Sequence, residues 1–129
     1  MQLGEKQLLK VVKKVEFGVY LGEEDSEERV LLPIKQVPEN IQVGDGLEVF
    51  LYKDSKDRLI ATTREPAVTL GQIAKLPVKE VTKIGAFLDW GLEKDLFLPF
   101  KQQTHRVHPG EECLVGLYTD KSGRLCATM

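Results

Sequence analysis

An internal repeat constrains this chain more than any other feature of its sequence. Residues 31–36 (LLPIKQ) reappear as residues 97–102 (FLPFKQ), 66 positions later. Without gaps, 13 of the 34 residues at 30–63 are identical to those at 96–129, whereas unrelated sequences would share about two. The 129 residues therefore form two homologous units, roughly 1–66 and 67–129, and we expect Glu65-Pro66 to separate them because proline interrupts a strand ladder.

Each unit has the pattern of an all-β domain. Residues 47–52 (LEVFLY) are interpreted as a strand with a period of two, as is the corresponding stretch at 113–118. The predicted strands of the first unit are 7–17, 18–21, 29–34, 46–53 and 58–63, with counterparts 66 or 67 residues later. Gly18 and Gly85 are predicted at sharp bends that only glycine permits. Five short strands with a longer link between the third and fourth predict a small closed OB-type barrel in each unit.

Composition excludes several classes of protein. With 42% hydrophobic and 29% charged residues, the chain is predicted to be a water-soluble globular protein. It has no apolar run near the roughly 18 residues of a membrane span and no visible signal peptide, so we expect no membrane association and a cytoplasmic location. The net charge of -2 is unlike the strongly basic footprint of most nucleic-acid binders. The acidic run at 23–28 is predicted to be a solvated loop rather than a calcium site.

Residues with possible chemical roles give no catalytic or metal site. Cys113 and Cys126 take the places of Leu47 and Ile60 in the first unit, which predicts buried apolar side chains rather than a disulfide or metal ligands. His105 and His108 have the spacing of zinc ligands but lack a cysteine pair at metal-binding distance. No catalytic motif is visible. We therefore expect a protein that is not an enzyme and needs no cofactor or metal.

The motifs of each unit resemble those of the S1-type RNA-binding domain. In the first unit these are FGVY at 17–20, VLLP at 30–33, the Gly44-Asp45 pair, and Asp54 followed by Arg58. The second unit repeats them with IGAF at 84–87, LFLP at 96–99, and Asp120 followed by Arg124. The resemblance implies two tandem five-stranded OB-fold (S1-type) barrels that bind single-stranded RNA.

A narrower resemblance points to one bacterial family. The phrases EFGVYL at 16–21, KIGAFLDWG at 83–91 and LFLPF at 96–100 are similar to those of the conserved virulence factor B family, also called YitL-like. Its members are cytoplasmic RNA-binding regulators of gene expression, with a third S1-type domain and a C-terminal winged-helix domain. The resemblance implies that this chain is an N-terminal fragment of such a regulator, followed by those further domains.

The candidate nucleic-acid-binding residues follow partly from this resemblance. It implies base stacking on Phe17 and Tyr20 in the first unit and on Phe87 in the second, where Ile84 replaces the other aromatic residue. The remaining candidates are polar or aromatic residues expected at the rim of each barrel: Lys35, Asp54, Arg58, Trp90, Lys101, Asp120 and Arg124. Because the second unit lacks one aromatic residue, we expect the first unit to bind RNA more tightly.

Alternatives stay open for these residues and for the function. Phe17 and Tyr20 can instead fill the barrel, each Asp–Arg pair can be a turn salt bridge, and Trp90 can pack against a barrel end. Pro33 and Pro99 stand where S1 domains commonly have histidine, which removes a hydrogen-bond donor. The alternative function is a protein-interaction or spacer module that positions other RNA-binding domains. DNA is not excluded as the ligand.

Overall fold

A computed structural model describes all residues, 1–129, and divides the chain into two compact units, Met1–Arg64 and Glu65–Met129. The predicted boundary after Pro66 lies two residues further along the chain. All regular elements are strands or single 3₁₀ turns, so the predicted all-β class is confirmed. None of these elements is a helix with the length and hydropathy required to cross a membrane.

The first unit is a closed five-stranded barrel. Its strands are β1 (Lys6–Val15), β2 (Gly18–Gly22), β3 (Val30–Pro33), β4 (Gly46–Lys53) and β5 (Leu59–Thr62), paired in the order β1-β2-β3-β5-β4. The pairing of β1 with β4 and one parallel pair, Leu31 with Ile60, complete the ring. Alternate residues point inward and form a buried aliphatic core of Leu9, Val11, Val19, Leu21, Val30, Leu32, Ile41, Val49, Leu51 and Ala61.

The second unit repeats these elements as a barrel-like sheet. Its strands are β6 (Ile73–Val81), β7 (Gly85–Leu88), β8 (Leu96–Pro99), β9 (Glu112–Thr119) and β10 (Leu125–Thr128), in the order β10-β9-β6-β7-β8. Strands β8 and β10 lie side by side but form no hydrogen-bonded ladder. The prediction of two closed barrels is therefore correct in architecture, and hydrogen-bonded closure is seen in the first unit only.

A side-chain clamp ties the third strand to the last strand in both units. A 3₁₀ turn follows each proline-terminated strand, at Ile34–Gln36 and Phe100–Gln102. The Thr62 hydroxyl donates to Gln36 Oε1 at 2.5 Å, and the Thr128 hydroxyl donates to Gln102 Oε1 at 2.6 Å. These contacts join the strands where backbone pairing is sparse or absent.

Several strand ends differ from the predicted ones. The first strand was predicted to reach Phe17 but ends at Val15, because residues 16 and 17 form the turn into β2. The third strand was predicted to reach Ile34 but ends at Pro33, since the chain turns into the 3₁₀ segment there. The acidic run at 23–28 forms a largely exposed loop, as predicted.

The predicted glycine bends are confirmed at the start of β2 and β7. Gly18 has φ of 152° and Gly85 has φ of 153°. A Cβ atom added at Gly85 would lie 2.6 Å from the Leu98 carbonyl oxygen, closer than a carbon atom can approach an oxygen to which it is not bonded. Glycine is therefore required for the close pairing of Gly85 with Pro99.

Candidate nucleic-acid interface

In the first unit, two aromatic side chains lie outside the barrel. Phe17 is 54% exposed in the turn before β2, and Tyr20 lies half-buried on the outer face of β2, paired with Leu31 of β3. Their rings meet edge to face, with centroids 6.2 Å apart. Neither ring fills the barrel, so both predicted stacking residues lie on the outside of the unit, in β2 and in the turn before it.

A shallow hollow beside Tyr20 has basic walls that the sequence analysis did not identify. Its volume is about 220 Å³, and it is lined by Val12, Lys13, Tyr20 and Arg29. The Arg29 guanidinium already donates to the backbone oxygens of Ser26 and Glu28. Arg29 comes from the end of the acidic loop, and only the pairing of β2 with β3 brings it near the aromatic face.

In the second unit, the aromatic pair is formed by different positions. Ile84 replaces Phe17 and is 64% exposed, while Phe87 occupies the place of Tyr20 on the outer face of β7. Phe87 pairs across the sheet with Phe97 of β8, with ring centroids 5.2 Å apart and ring planes at 37°. Phe97 was not among the predicted residues. Because Leu96 and Leu98 are the inward positions of β8, strand alternation places Phe97 on the outer face.

A groove runs along the outside of the second unit beside this pair. Its volume is about 540 Å³, and it lies between the end of β8 with its 3₁₀ turn and the β9–β10 turn. The lining residues are Phe97, Pro99, Lys101, Gln102, Tyr118, Thr119, Asp120, Lys121, Ser122 and Cys126. The structure therefore brings two predicted residues, Lys101 and Asp120, into one groove with Phe97. The volume falls in the range of about 300–1,000 Å³ that is common for ligand sites.

The Asp–Arg pair of the first unit forms a structured turn. Asp54 Oδ1 accepts hydrogen bonds from the backbone N–H groups of Lys56 and Arg58, and the Arg58 Nε donates to Asp54 Oδ2 at 3.0 Å. Burial raises the pKa of Asp54, but the hydrogen bonds from Arg58 and Lys56 outweigh it and lower the pKa overall. Arg58 is largely exposed, so the ion pair itself contributes little to stability and leaves the guanidinium accessible.

The equivalent carboxylate of the second unit is held by a different set of donors. Asp120 Oδ1 accepts hydrogen bonds from the Ser122 hydroxyl at 2.6 Å and from the Arg124 backbone N–H at 3.0 Å. The Ser122 hydroxyl and the Arg124 backbone together lower the pKa of Asp120 from 3.8 to about 2. The thiol of Cys126 donates to the other carboxylate oxygen at 3.6 Å. Asp120 is therefore ionised at neutral pH, with its carboxylate at the wall of the groove.

The remaining predicted residues lie in different environments. Lys35 and Lys101 are exposed at equivalent places in the two 3₁₀ turns. Trp90 is only 3% exposed, and its indole N–H donates to the Lys94 carbonyl at 2.6 Å. This placement agrees with the alternative in which the tryptophan packs inside the fold, so we leave Trp90 out of the interface proposed below.

The two cysteines are buried and free, as predicted. Burial raises the pKa of Cys113 and raises the pKa of Cys126 to about 11. His105 pairs with Glu111, with 2.5 Å between Nε2 and Oε2, in the link between β8 and β9. No group of three or more histidine, cysteine or acidic residues is arranged to hold a metal ion.

Comparison with known proteins identifies the fold family. The family model described as "S1 domain" matches residues 3–64 and again residues 70–129. The chain belongs to the S1 domain family. Each of the two units thus corresponds to one S1 domain, and this membership supports an RNA-binding module in general terms.

Two relatives confirm the narrower family predicted from the sequence, the YitL-like conserved virulence factor B family. The chain is 33% identical over 96 residues to "Uncharacterized protein YitL" of Bacillus subtilis and 25% identical over 95 residues to "Conserved virulence factor B" of Staphylococcus saprophyticus. The matches cover 74% and 70% of this chain but 32% of each relative. The chain therefore matches about a third of the length of these relatives.

A solved structure shares the arrangement of strands. It is the crystal structure of a multidomain protein with nucleic acid binding domains from Streptococcus pneumoniae TIGR4, with a TM-score of 0.82 and 22% sequence identity. The match covers 98% of this chain and 45% of the other. At this level of identity the similarity concerns the fold.

Proposed function

We propose that this chain is the single-stranded RNA-binding module of a bacterial cytoplasmic regulator of gene expression. Membership of the S1 family supports RNA binding in general. The observation that supports a specific binding mode is an outward aromatic pair in each unit: Phe17 with Tyr20 in the first, and Phe87 with Phe97 in the second. Aromatic rings on the outside of a small barrel are the usual platform for stacking unpaired bases.

The proposed mechanism combines stacking with a small number of polar contacts. Each stacked base contributes roughly 1–3 kcal/mol, whatever its identity, so affinity depends weakly on RNA sequence. Lys35 and Lys101 contact phosphate, while Arg58 and Arg124 extend from the turns at the rim. The carboxylates of Asp54 and Asp120 repel phosphate, and we assign them to sugar hydroxyl or base amino groups, which donate hydrogen bonds.

The small number of basic contacts gives this proposal a measurable salt dependence. Counterion release makes log K fall with log salt with a slope of about -0.7 for each phosphate contacted on a single strand. With Lys35 and Lys101 each contacting one phosphate, we expect a slope of about -1.4, and each additional lysine contact adds about -0.7. A steep salt dependence would contradict a mechanism dominated by stacking.

A titration of fluorescently labelled single-stranded RNA tests the proposal. Binding is followed by anisotropy at about 50 mM and about 200 mM salt, for the wild-type chain and for a triple variant with Phe17, Tyr20 and Phe87 changed to alanine. The matched control is Leu8→Ala, because Leu8 is 71% exposed but pairs with Glu48 on the β1–β4 side of the barrel. We expect the triple variant to bind RNA more weakly than the wild type, and the control to bind like the wild type. No binding of the wild-type chain at low salt would refute the proposal.

The same titration distinguishes RNA binding by the aromatic faces from the alternative function. A protein-interaction or spacer module is favoured by the near-neutral charge and by Pro33 and Pro99, which lie on the outer faces of β3 and β8 without a side-chain donor. If the triple variant binds RNA as tightly as the wild type, the aromatic faces serve another purpose. Parallel titrations with DNA of the same sequence measure the contribution of the ribose 2′-hydroxyl.

A further inference from the structure

The two units provide an internal comparison, because equivalent positions carry different side chains in the same register. Tyr20 pairs with Leu31 in the first unit, and Phe87 pairs with Phe97 in the second. The Phe97 ring also extends over Gly85, since a Cβ atom added at that glycine would lie 2.8 Å from Phe97 Cε1. Phe97 is thus fixed between Phe87 and the glycine bend, and an ordered ring loses little entropy when a base stacks on it.

The groove beside the second pair is also larger and more aromatic than the hollow beside Tyr20. Tyr118 lines the groove and is half-buried, whereas its counterpart Tyr52 is only 6% exposed. The groove is about 540 Å³, compared with about 220 Å³ for the hollow beside Tyr20. The groove of the second unit is therefore lined by two aromatic side chains, Phe97 and Tyr118, and the Phe87 ring contacts Phe97 beside it.

Charged groups around the groove are placed for the backbone of a nucleotide. Lys101 and Lys121 line it from the 3₁₀ turn and from the β9–β10 turn. In the first unit, Lys13 and Arg29 border the hollow beside Tyr20, and the Arg29 guanidinium is already engaged by two backbone oxygens. Lysines on two separate elements bordering one groove suit the phosphates on either side of a bound base.

We propose that the groove of the second unit is the principal base-binding site of this chain, and that Phe97 is the residue that gives the second unit the higher affinity for RNA. A base stacks on Phe97 beside Phe87, and its flanking phosphates contact Lys101 and Lys121. The first unit is an auxiliary site built on Phe17 and Tyr20. This inference rests on the proposed RNA-binding function and reverses the ranking expected from the sequence.

A reciprocal exchange between the two units tests the inference. Phe97→Leu gives the second unit the side chain that the first unit has at Leu31, and Leu31→Phe makes the opposite change. We expect Phe97→Leu to weaken binding of labelled single-stranded RNA by about tenfold, which is the loss of one stacking contact. Leu31→Phe is expected to strengthen binding, and Tyr20→Ala to weaken it by less than Phe97→Leu.

The possible outcomes separate this inference from the proposed function. If Phe97→Leu binds RNA like the wild type while Tyr20→Ala weakens binding tenfold, the ranking is overturned and RNA binding stands. If the wild-type chain binds no RNA at low salt, both proposals fail. Chemical-shift mapping of the wild-type chain with a short oligonucleotide gives a readout that needs no variant. The largest shifts are expected at Phe97, Lys101 and Lys121, and shifts confined to the surroundings of Tyr20 would overturn the inference.

Discussion

Replacing Gly85 by alanine tests whether the close approach of β7 to β8 shapes the second unit. The added Cβ would lie 2.6 Å from the Leu98 carbonyl oxygen, whereas ordinary van der Waals contact begins at 3.4 Å. The two strands would have to separate by the difference, 3.4 - 2.6 = 0.8 Å. Alanine would also take up a backbone conformation with φ of 153°, which side chains rarely adopt.

Gly110→Ala is the matched control for the backbone contribution. Gly110 also has positive φ, at 89°, but an added Cβ there would meet nothing within 4 Å. Both variants carry backbone strain of about 1–3 kcal/mol, and only Gly85→Ala adds a steric cost of about 1–3 kcal/mol. We therefore expect the free energy of unfolding to be lower in Gly85→Ala than in Gly110→Ala by about 1–3 kcal/mol.

Urea unfolding followed by tryptophan fluorescence measures this difference. Trp90 is the single tryptophan, is buried, and belongs to the second unit, so its emission reports on that unit. With a denaturant dependence of about 1 kcal/mol per molar urea, the midpoints should differ by about 1–3 M. A unit of this size has about 3–10 kcal/mol of stability in total, so Gly85→Ala should lose a large share of it. Equal midpoints for the two variants would refute the steric explanation.

Three further predictions use the same fluorescence signal or thiol chemistry. Thr128→Val removes the hydroxyl that donates to Gln102 Oε1 and should lower the free energy of unfolding by about 1 kcal/mol; an unchanged midpoint would show that the clamp is energetically neutral. Because the pKa of Asp120 is lowered from 3.8 to about 2, its ionised form stabilises the folded unit above about pH 4, and this stabilisation is lost as the pH falls towards 2. The urea midpoint of the wild type should therefore fall over that range more than that of Asp120→Asn, and parallel pH profiles would contradict this assignment. Since burial raises the pKa of both thiols, that of Cys126 to about 11, Cys113 and Cys126 should resist alkylation at pH 8 until urea unfolds the second unit; rapid alkylation of the native chain would contradict their burial.

Much of the fold could be predicted because the pattern is local and occurs twice. Burial alternates along β9, as the predicted period of two requires, whereas residues 49–52 of β4 are buried on both faces of the strand. The cysteines could be assigned to the core because the first unit has Leu47 and Ile60 at the same places. The repeat thus provided, within a single sequence, a test of which side chain types each position accepts.

The candidate site could be predicted only in part, because stacking requires residues from different strands. Phe17, Tyr20 and Phe87 follow from one short phrase in each unit, whereas Phe97 acquires its role from its pairing with Phe87 across the sheet. Trp90 is of a residue type that can stack on bases, but it is buried in the fold, where its indole N–H donates to the Lys94 carbonyl. Sequence identifies an aromatic residue and predicts the strand that carries it, but it does not specify the partner on the neighbouring strand.

The sequence by itself determined the duplication, the all-β class, the glycine bends and the family, since each depends on residues that are close along the chain. The tertiary structure decided which aromatic rings meet, where the groove opens and how each unit closes. These properties depend on contacts between β8, its 3₁₀ turn and the β9–β10 turn, which are separated by the long link between β8 and β9. A single leucine-to-phenylalanine difference between equivalent strands is a minor change in sequence, but in the folded second unit it places a second ring 5.2 Å from Phe87 at the mouth of a groove.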